Sequence, residues 1–444
     1  MRHKTFRGGI HPAGHKDLTK DCPVEEYLPK GTLVFPMNQH IGKPAKPVVQ
    51  KGDSVLAGQL IAQADGFVSA NIVSSCSGTV KAIEERHTAN GGRAVCIVIE
   101  NDGQFTPAPG IGTKRDASAL TGAQILEAIQ AAGIVGMGGA GFPTHVKLSP
   151  RNPEEIDYVI ANGSECEPYI TCDDHLMRTK SEQVVKGLSL VLKLFPNAKG
   201  IIAVEDNKPE AISALSSACA SDASISVLPV RAKYPQGGER SLISAVTGRE
   251  LRFGQLPADL HCVVCNVSTL YAIYQAVCLS EPLMTRLFTV SGDAVASPRT
   301  FLVRLGTSCQ ELLDAAGGIK SGCTLQKVLC GGPMMGFAMS SLDVPIAKNN
   351  NALTFLAVDE VEQAEASMTA CLRCGRCGHV CPIGLVPQML AEAAERKDYE
   401  RYEKKLYGLD CIACGSCTYA CPAKRPLMQL FKQTKSAIMA AKRK

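Results

Sequence analysis

The chain contains two copies of one cysteine motif, and this repeat restricts the possible fold more than any other feature of the sequence. Each copy reads C-x2-C-x2-C-x3-C-P, and the copies begin at positions 371 and 411. The motif cysteines are Cys371, Cys374, Cys377, Cys381, Cys411, Cys414, Cys417 and Cys421. Three thiols on so short a loop converge on one centre, so the repeat predicts a compact domain built around two inorganic centres.

The spacing of the motif favours iron–sulfur clusters over zinc. Zinc knuckles pair two C-x2-C units around each ion, and they do not explain a third and a fourth cysteine at fixed spacing in both copies. In chains with two cubane clusters, the fourth cysteine of each motif binds the cluster of the other motif. We therefore assign one 4Fe-4S cluster to Cys371, Cys374, Cys377 and Cys421, and the second to Cys411, Cys414, Cys417 and Cys381. The segment between the motifs is rich in Ala, Glu, Lys and Leu, which predicts connecting helices.

Composition excludes several classes of protein. A length of 444 residues allows about two to four globular domains. The 20 cysteines and the absence of an apolar leader point to the reducing cytosol. The uncharged segment 262–280 carries polar side chains, so we expect a buried soluble segment and not a membrane span. The net charge of +5 comes from a basic tail that starts at Lys424 and predicts a solvated helix, or one that lies on an anionic membrane surface or an acidic partner. The sequence has no basic and aromatic stripe that would indicate binding of nucleic acid.

Hydrophobic periodicity divides the rest of the chain into two kinds of structure. Segments 47–62 and 77–83 alternate like short strands and predict a small all-β unit similar to the barrel-sandwich domains that carry biotin or lipoate. No lysine lies between Lys51 and Lys81, so a swinging-arm role is rejected. From the capping box at Thr121, helical and strand patterns alternate and predict an α/β layer fold. After residue 282 the pattern indicates a small α+β module.

A glycine-rich stretch follows the first helix of the α/β region. It runs from Gly133 to Lys147 and contains Gly136, Gly138, Gly139 and Gly141. Glycines at this density let backbone N–H groups approach a phosphate, and Lys147 adds a positive charge. The spacing also matches a dinucleotide-binding fingerprint, but that fingerprint follows a strand, whereas a helix precedes this loop. The simpler alternative is a set of glycines that closes the helix with a tight turn.

Three further motifs place polar side chains near apolar segments. Asn162-Gly-Ser-Glu165-Cys-Glu167-Pro follows a predicted strand, at the sheet edge where α/β folds bind ligands. Tyr234-Pro-Gln-Gly237-Gly238-Glu239 forms a second glycine turn, and Asn266-Val-Ser-Thr269 lies inside an apolar run. Each motif alone is weak, because a Glu after a strand is most often a helix cap or a solvated turn.

Taken together, these motifs carry a specific family resemblance. The glycine loop, Asn-Gly-x-Glu-Cys-Glu-Pro, Tyr-Pro-x-Gly-Gly-Glu and the two cysteine motifs resemble the C subunits of Rnf, the ion-translocating ferredoxin:NAD⁺ oxidoreductases. The resemblance covers nearly the whole chain, and the central part is similar to the flavin subunit of respiratory complex I. It implies four domains: a barrel-sandwich unit at 1–115, an FMN- and NAD(H)-binding α/β domain at 116–282, a β-grasp module at 283–355 and a helical two-cluster ferredoxin domain with the basic tail at 356–444.

The resemblance also implies the roles of the site residues. FMN is expected on the glycine loop between Gly136 and Gly141, with its surroundings formed by Lys147, Asn162, Glu165, Tyr234, Gly237, Gly238, Asn266 and Thr269. Glu167 and Glu239 are expected on the nicotinamide side, and with Glu165 they are the candidate catalytic residues. The chain departs from the complex I pattern, which has arginines at the positions of Val135 and Met137 and an Asp at the position of Ser164.

The expected function follows from these cofactors. A flavin between NAD(H) and two 4Fe-4S clusters converts hydride transfer into single-electron transfer. The resemblance implies a peripheral subunit on the cytoplasmic side of the cell membrane, with the other Rnf subunits, and indirectly ferredoxin, as partners. Two alternatives remain open at this point: a soluble flavin and iron–sulfur cobalamin reductase of a bacterial microcompartment, and a non-catalytic two-cluster electron carrier.

Overall fold

The computed structural model describes residues 4–89 and 91–442 of the chain. The last two basic residues of the predicted tail, Arg443 and Lys444, lie outside the described residues. Within the described ranges, none of the helices combines the length and the apolar character needed to cross a bilayer.

The strands are numbered in chain order: β1 Glu25–Tyr27, β2 Leu33–Pro36, β3 Lys46–Pro47, β4 Ser54–Val55, β5 Leu60–Gln63, β6 Ile72–Val73, β7 Gly78–His87, β8 Arg93–Asn101, β9 Tyr158–Gly163, β10 Lys199–Glu205, β11 Ile225–Val230, β12 Cys262–Asn266, β13 Thr285–Ser291, β14 Arg299–Arg304, β15 Lys327–Cys330, β16 Phe337–Ala338 and β17 Ala352–Leu356. The α-helices are α1 Gly122–Ala131, α2 Thr144–Lys147, α3 Cys172–Thr179, α4 Ser181–Leu192, α5 Pro209–Ala218, α6 Glu239–Thr247, α7 Val267–Leu279, α8 Cys309–Ala315, α9 Glu360–Ala366, α10 Arg376–His379, α11 Pro387–Glu395, α12 Ser416–Tyr419 and α13 Leu427–Ala441.

The N-terminal β unit is a pair of small antiparallel sheets, in the orders β2-β8-β7-β4 and β3-β5-β6. Its core is a closed apolar cluster that includes Leu33, Phe35, Ile61 and Ile97. Residues between 4 and 30 contact other domains of the chain. Strand β1 pairs in parallel with β14, and Ile10 forms a bridge with Tyr234. The beginning of the chain therefore joins domains that are far apart in the sequence.

The central domain is a four-stranded parallel sheet in the order β11-β10-β9-β12. Strand β9 comes first in the chain, β10 and β11 extend the sheet on one side, and β12 is added on the other side. Helices α4 and α7 pack together, and the apolar cluster on that face of the sheet includes residues of α1, α4, α5 and α7. Helix α6 packs on the opposite face through Leu242 and Ile243. The order of the strands thus reverses between β9 and β12, which is where doubly wound sheets bind their ligands.

The β-grasp module forms a six-stranded sheet in the order β1-β14-β13-β17-β15-β16, with α8 against it. The cysteine repeat lies in a helical unit. Helices α11 and α13 pack through Leu390, Leu427 and Phe431, and the short helices α10 and α12 each begin inside a cysteine motif. The connection through helices, expected from composition, is confirmed, and helix α13 is the predicted basic tail.

The local predictions for the α/β domain agree with the structure. Thr121 accepts a hydrogen bond from the backbone N–H of Gln124 and completes the capping box of α1. The apolar periodicity of the sequence predicts strands at 200–205 and 225–230, and β10 and β11 lie there to within one residue. The segment 262–280 forms the buried strand β12 and helix α7. The fold class predicted from the sequence is therefore confirmed: a multi-domain α/β chain with a β-grasp module and a helical ferredoxin-like end.

Candidate functional site

The eight motif cysteines line two cavities in the ferredoxin domain. One cavity is lined by Cys371, Cys374, Cys377 and Cys421. The other is lined by Cys381, Cys411, Cys414 and Cys417. Each set combines three cysteines of one motif with the last cysteine of the other motif, which is the arrangement that the spacing predicted.

The chemistry of the cavities fits 4Fe-4S clusters. Four thiols line each cavity, which is the number of protein ligands that a 4Fe-4S cluster takes. Within residues 4–89 and 91–442, no three His, Cys, Asp or Glu side chains lie close enough together to bind a single metal ion. Burial raises the pKa of Cys411 to about 11, and the nearby Cys414 and Cys381 add to this rise. Iron bound in the cavity would supply the positive charge that keeps such crowded thiols ionised.

The two cavities differ in exposure. Cys371 and Cys374 are exposed, whereas Cys381 and Cys414 are buried. The buried set is covered by the α/β domain, since Cys414 packs with Tyr234 and Ile10 in one apolar cluster. The exposed set can be approached from outside the chain, and the covered set faces the α/β domain.

Polar residues meet at the edge of the parallel sheet where the strand order reverses. Asn162 at the end of β9 and Asn266 at the end of β12 are paired in register. The side chain of Asn162 donates to the carbonyl of Gly237 over 2.9 Å. Asn266 caps α7 and donates from Nδ2 to Asp173 over 2.7 Å. The sheet topology therefore brings three of the sequence motifs to one edge.

The glycine loop lies beside this edge. It leaves α1, and it closes through a hydrogen bond from the N–H of Gly136 to the carbonyl of Phe142. The hydroxyl of Thr269 accepts the N–H of Met137 over 3.0 Å, which ties the loop to α7. A Cβ atom on Gly138 would approach Asn266 to 3.0 Å, whereas a Cβ atom on Gly139 would meet no atom of a non-adjacent residue within 4 Å. The loop is thus packed against the α/β domain at Gly138, and it has an open side at Gly139.

Unpartnered polar atoms surround the same region. The side chains of Thr144, Ser164, Gln236 and Ser241 are buried, and each carries a polar atom without a hydrogen-bond partner. Gln236, which has no exposed surface, lacks a partner at both ends of its amide. Buried polar groups are rarely left without partners, so these atoms fit a polar cofactor that completes their hydrogen bonds.

Lys147 lies at the end of α2 and connects two of the motifs. Its Nζ donates to Oε1 of Glu239 over 3.3 Å and to the carbonyl of Val264 over 3.0 Å. Both charged side chains are partly exposed. The lysine that was predicted in the surroundings of the flavin and the glutamate that was predicted on the nicotinamide side therefore form one ion pair.

The two carboxylates of the Asn162 motif are both held by backbone N–H groups. Glu165, which has a left-handed φ of 45°, accepts the N–H groups of Asp173 and Asp174 at the start of α3. Glu167 accepts the N–H groups of Met334 and Met335 from a loop of the β-grasp module, over 2.6 and 3.0 Å. Burial raises the pKa of Glu165 to about 7 and that of Glu167 to about 6.

Tyr234 links the α/β domain to the covered cysteine set. Its hydroxyl donates to the carbonyl of Cys414 over 2.7 Å. Gly237 donates to the thiol of Cys166, which packs in the same cluster as Tyr234 and Cys414. Six residues after Tyr234, Arg240 pairs with Asp410, the residue before Cys411, over 3.2 Å. The second glycine turn therefore contributes to the contact between the two domains.

Sequence reasoning missed several buried charges around the site. Lys208 and Glu205 form a fully buried ion pair of 2.9 Å at the end of β10, and Lys208 also donates to the carbonyl of Ser164. Arg286 on β13 and Lys348 before β17 are buried behind the glycine loop. Only the Glu-x-x-Lys spacing signalled the first pair, and no local pattern signalled the other two.

The buried ion pair gives a stability prediction. We expect Lys208→Met to destabilise the chain by about 3–5 kcal/mol, because it leaves the Glu205 carboxylate buried and unpaired. Thermal unfolding followed by circular dichroism tests this. The matched control is Glu210→Gln, which breaks the exposed pair with Arg178 and should leave the melting temperature unchanged. Equal melting temperatures for all three proteins would contradict the prediction.

Four family models match the chain, each in one of the domains described above. They are the RnfC barrel sandwich hybrid domain at residues 4–104, the Nuo51 FMN-binding domain at 129–275, the SLBB domain at 287–338 and the 4Fe-4S dicluster domain at 370–426. Among solved structures, an NAD⁺-reducing [NiFe]-hydrogenase in the H2-reduced state matches with a TM-score of 0.50 and 21% identity, over 73% of this chain and 62% of that chain. The likeness to the hydrogenase chain is a similarity of fold alone.

Curated relatives match most of the chain, and three of them are C subunits of ion-translocating oxidoreductase complexes. The chain is 44% identical over 438 residues to that of the proton-translocating ferredoxin:NAD⁺ oxidoreductase complex of Clostridium ljungdahlii, covering 99% of this chain and 95% of the relative. It is 43% identical to that of the Na⁺-translocating ferredoxin:NAD⁺ oxidoreductase complex of Acetobacterium woodii, covering 100% and 99%. The counterpart in the ion-translocating oxidoreductase complex of Pseudomonas aeruginosa is 40% identical, over 89% of this chain and 51% of the relative. The chain therefore belongs to the RnfC family, the C subunits of ion-translocating ferredoxin:NAD⁺ oxidoreductase complexes.

Proposed function

We propose that the chain is the NAD(H)- and FMN-binding electron-transfer subunit of a membrane ion-translocating ferredoxin:NAD⁺ oxidoreductase. The observation that carries the proposal is the continuous contact between an iron–sulfur cavity and a flavin site. Tyr234 belongs to the glycine turn at the sheet edge, and its hydroxyl binds the backbone of Cys414 in the covered cysteine set. The site and the cavity are thus neighbours within one polypeptide.

The residues of the site have different roles, some in binding the flavin and others in holding the walls of the site. FMN, when bound, exchanges a hydride with a nicotinamide and single electrons with an iron–sulfur cluster. The flavin is held by the open side of the glycine loop, by Asn162 and Asn266, and by Lys147. The unpartnered polar side chains supply further hydrogen bonds to it. Glu165 fixes the start of α3 and Glu167 fixes a loop of the β-grasp module, so both hold the walls of the site. Glu239, partly exposed, lies on the nicotinamide side.

The exposure of the two cysteine sets indicates which of the two clusters a partner protein can reach. An external electron carrier can approach the exposed set around Cys371 and Cys374, while the covered set faces the α/β domain. In this proposal the partners are the other subunits of the complex, which move the ion. The chain binds to them as a peripheral subunit on the cytoplasmic side of the membrane, and ferredoxin supplies the electrons indirectly.

Anaerobic reconstitution tests the proposal. Chain purified without oxygen should contain about eight irons and should take up one FMN per chain. NADH should then bleach the flavin absorbance and afterwards the cluster absorbance. Eight irons with no uptake of FMN would contradict the proposal and would favour the two-cluster electron carrier.

Lys147 provides a test within the site. We expect Lys147→Ala to weaken FMN binding about tenfold, because a charged donor is lost at the end of the glycine loop. Iron content should stay the same, since the hydrogen bonds of Lys147 go to Glu239 and Val264, both in the α/β domain. Flavin fluorescence quenching gives the affinity and an iron assay gives the clusters. Loss of both cofactors together would show that Lys147 has a folding role.

A further inference from the structure

The glycine loop is held by three domains, although its sequence belongs to only one. From the α/β domain, Thr269 accepts the N–H of Met137 over 3.0 Å. From the barrel-sandwich unit, the N–H of Ile41 donates to the carbonyl of Gly141 over 3.2 Å. From the β-grasp module, Arg286 on β13 donates from one guanidinium nitrogen to the carbonyl of Met137 over 3.3 Å. The loop's conformation therefore depends on residues far outside its own domain.

Lys348 completes this support. Its Nζ donates to the carbonyl of Gly133 over 2.7 Å, just before the loop, and to the carbonyl of Asn71 in the barrel-sandwich unit. Its own carbonyl accepts a second guanidinium nitrogen of Arg286. Arg286 and Lys348 thus form a hydrogen-bonded pair of basic side chains behind the loop. Burial lowers the pKa of Lys348 to about 7, so an anion bound nearby would favour its charged form.

These two basic side chains have little negative charge near them. Arg286 is 5% exposed and Lys348 is 1% exposed, and among residues 4–89 and 91–442 neither forms an ion pair with a carboxylate within 4.0 Å. Burial lowers the pKa of Arg286, and the more distant Asp173 offsets part of this lowering. The Nε of Arg286 has no hydrogen-bond partner among the described residues. Buried charges are normally paired, because the cost of removing them from water is large. Carbonyl groups offset part of this cost, and an anion on the loop would offset more.

The guanidinium of Arg286 reaches the glycine loop from the following domain, at the carbonyl of Met137. The positive charge is thus supplied from behind the loop, and the open side at Gly139 stays free.

We propose that Arg286 and Lys348 are the positive pole of the flavin site: they position the glycine loop from the β-grasp module and favour an anionic phosphate ester on it. This inference rests on the proposed function, because the phosphate in question is that of FMN. Its consequence is that the flavin site is complete only when the barrel-sandwich unit, the α/β domain and the β-grasp module are docked together.

The test compares FMN with riboflavin, which lacks the phosphate, on the full anaerobically reconstituted chain. We expect Arg286→Met and Lys348→Met to weaken FMN binding roughly ten- to hundredfold, because each removes a charged donor, and to weaken riboflavin binding much less. Arg286→Lys should restore part of the loss, since it keeps the charge and loses the fork of donors. The affinity ratio of FMN to riboflavin is the readout, since a merely structural role would weaken both ligands equally.

Arg304→Met is the matched control. Arg304 lies on the neighbouring strand β14, donates to the carbonyl of Ser75 in the barrel-sandwich unit and stacks on Phe105, so it joins the same two domains without touching the glycine loop. It should leave the ratio unchanged. A wild-type ratio in folded, iron-loaded Arg286→Met would overturn the inference, whereas a wild-type chain that binds no FMN would overturn the proposed function instead.

A measurement on the wild-type chain decides the matter if the variants do not fold. Hydrogen exchange with and without FMN should show protection at the amides around Ile41, Arg286 and Lys348, because the phosphate tightens all three domains on the loop. Protection confined to residues 116–282 would overturn the inference.

Discussion

The Cys381→Ala chain is expected to lose about half of its iron, and the lost cluster is the one beside the other cysteine motif. Cys381 follows Cys377 in the sequence, but it lines the cavity with Cys411, Cys414 and Cys417. Cys381 supplies one of the four thiolates of that cluster, so we expect the cluster to be lost and about four irons to remain in the cavity of Cys371, Cys374, Cys377 and Cys421. Because the lost cluster is the one that faces the α/β domain, NADH should no longer reduce the remaining iron.

Spectra of paired variants identify the missing cluster. The reduced Cys381→Ala chain should give the same electron paramagnetic resonance spectrum as Cys411→Ala, and Cys421→Ala should give the same spectrum as Cys371→Ala. Cys309→Ala is the control, because Cys309 is buried at the start of α8 in the β-grasp module and lines neither cavity. A Cys381→Ala spectrum equal to that of Cys371→Ala would contradict the crossed arrangement and would mean that each motif binds its own cluster.

The parts of the fold that sequence reasoning predicted are those with local signals. The capping box at Thr121, the glycine turn after α1 and the spacing of the cysteines each depend on residues a few positions apart. The crossed cysteine sets were also predictable, since the repeat of the motif carries the rule. Hydrophobic periodicity predicted the bounds of β10 and β11 to within one residue, because both are buried strands between clear turns.

The contacts that sequence reasoning missed are long-range and polar. The bond from Arg286 to Met137 spans 149 positions, and the partners of Glu167 lie 167 and 168 positions away. Strand β1 pairs with β14 across more than 270 positions. A buried arginine has no periodic signature, so its partner is fixed only by how the domains dock. The same limit applies to Lys147 and Glu239, which were predicted separately and form one ion pair.

The Gly139→Leu chain is expected to keep its fold and its iron and to lose flavin binding by roughly a hundredfold or more. Gly139 has a φ outside the left-handed region, so its backbone conformation does not require glycine. Packing does not require it either, because a Cβ atom there would meet no non-adjacent residue within 4 Å. What remains is a need for open space on the loop, where a leucine side chain would lie in place of the flavin. Fluorescence titration with FMN, beside an iron assay and circular dichroism, measures the effect.

A graded series separates loss of space from damage to the fold. Gly139→Ala adds one methyl group and should weaken FMN binding less than Gly139→Val, which in turn should weaken it less than Gly139→Leu, because overpacking grows with side-chain volume. Gly14→Val is the matched control, since Gly14 also has a φ outside the left-handed region and the nearest atom to its Cβ position lies 3.9 Å away. If Gly139→Leu binds FMN as tightly as the wild-type chain, the flavin does not lie on this loop. The positive pole formed by Arg286 and Lys348 would then have to serve another anion.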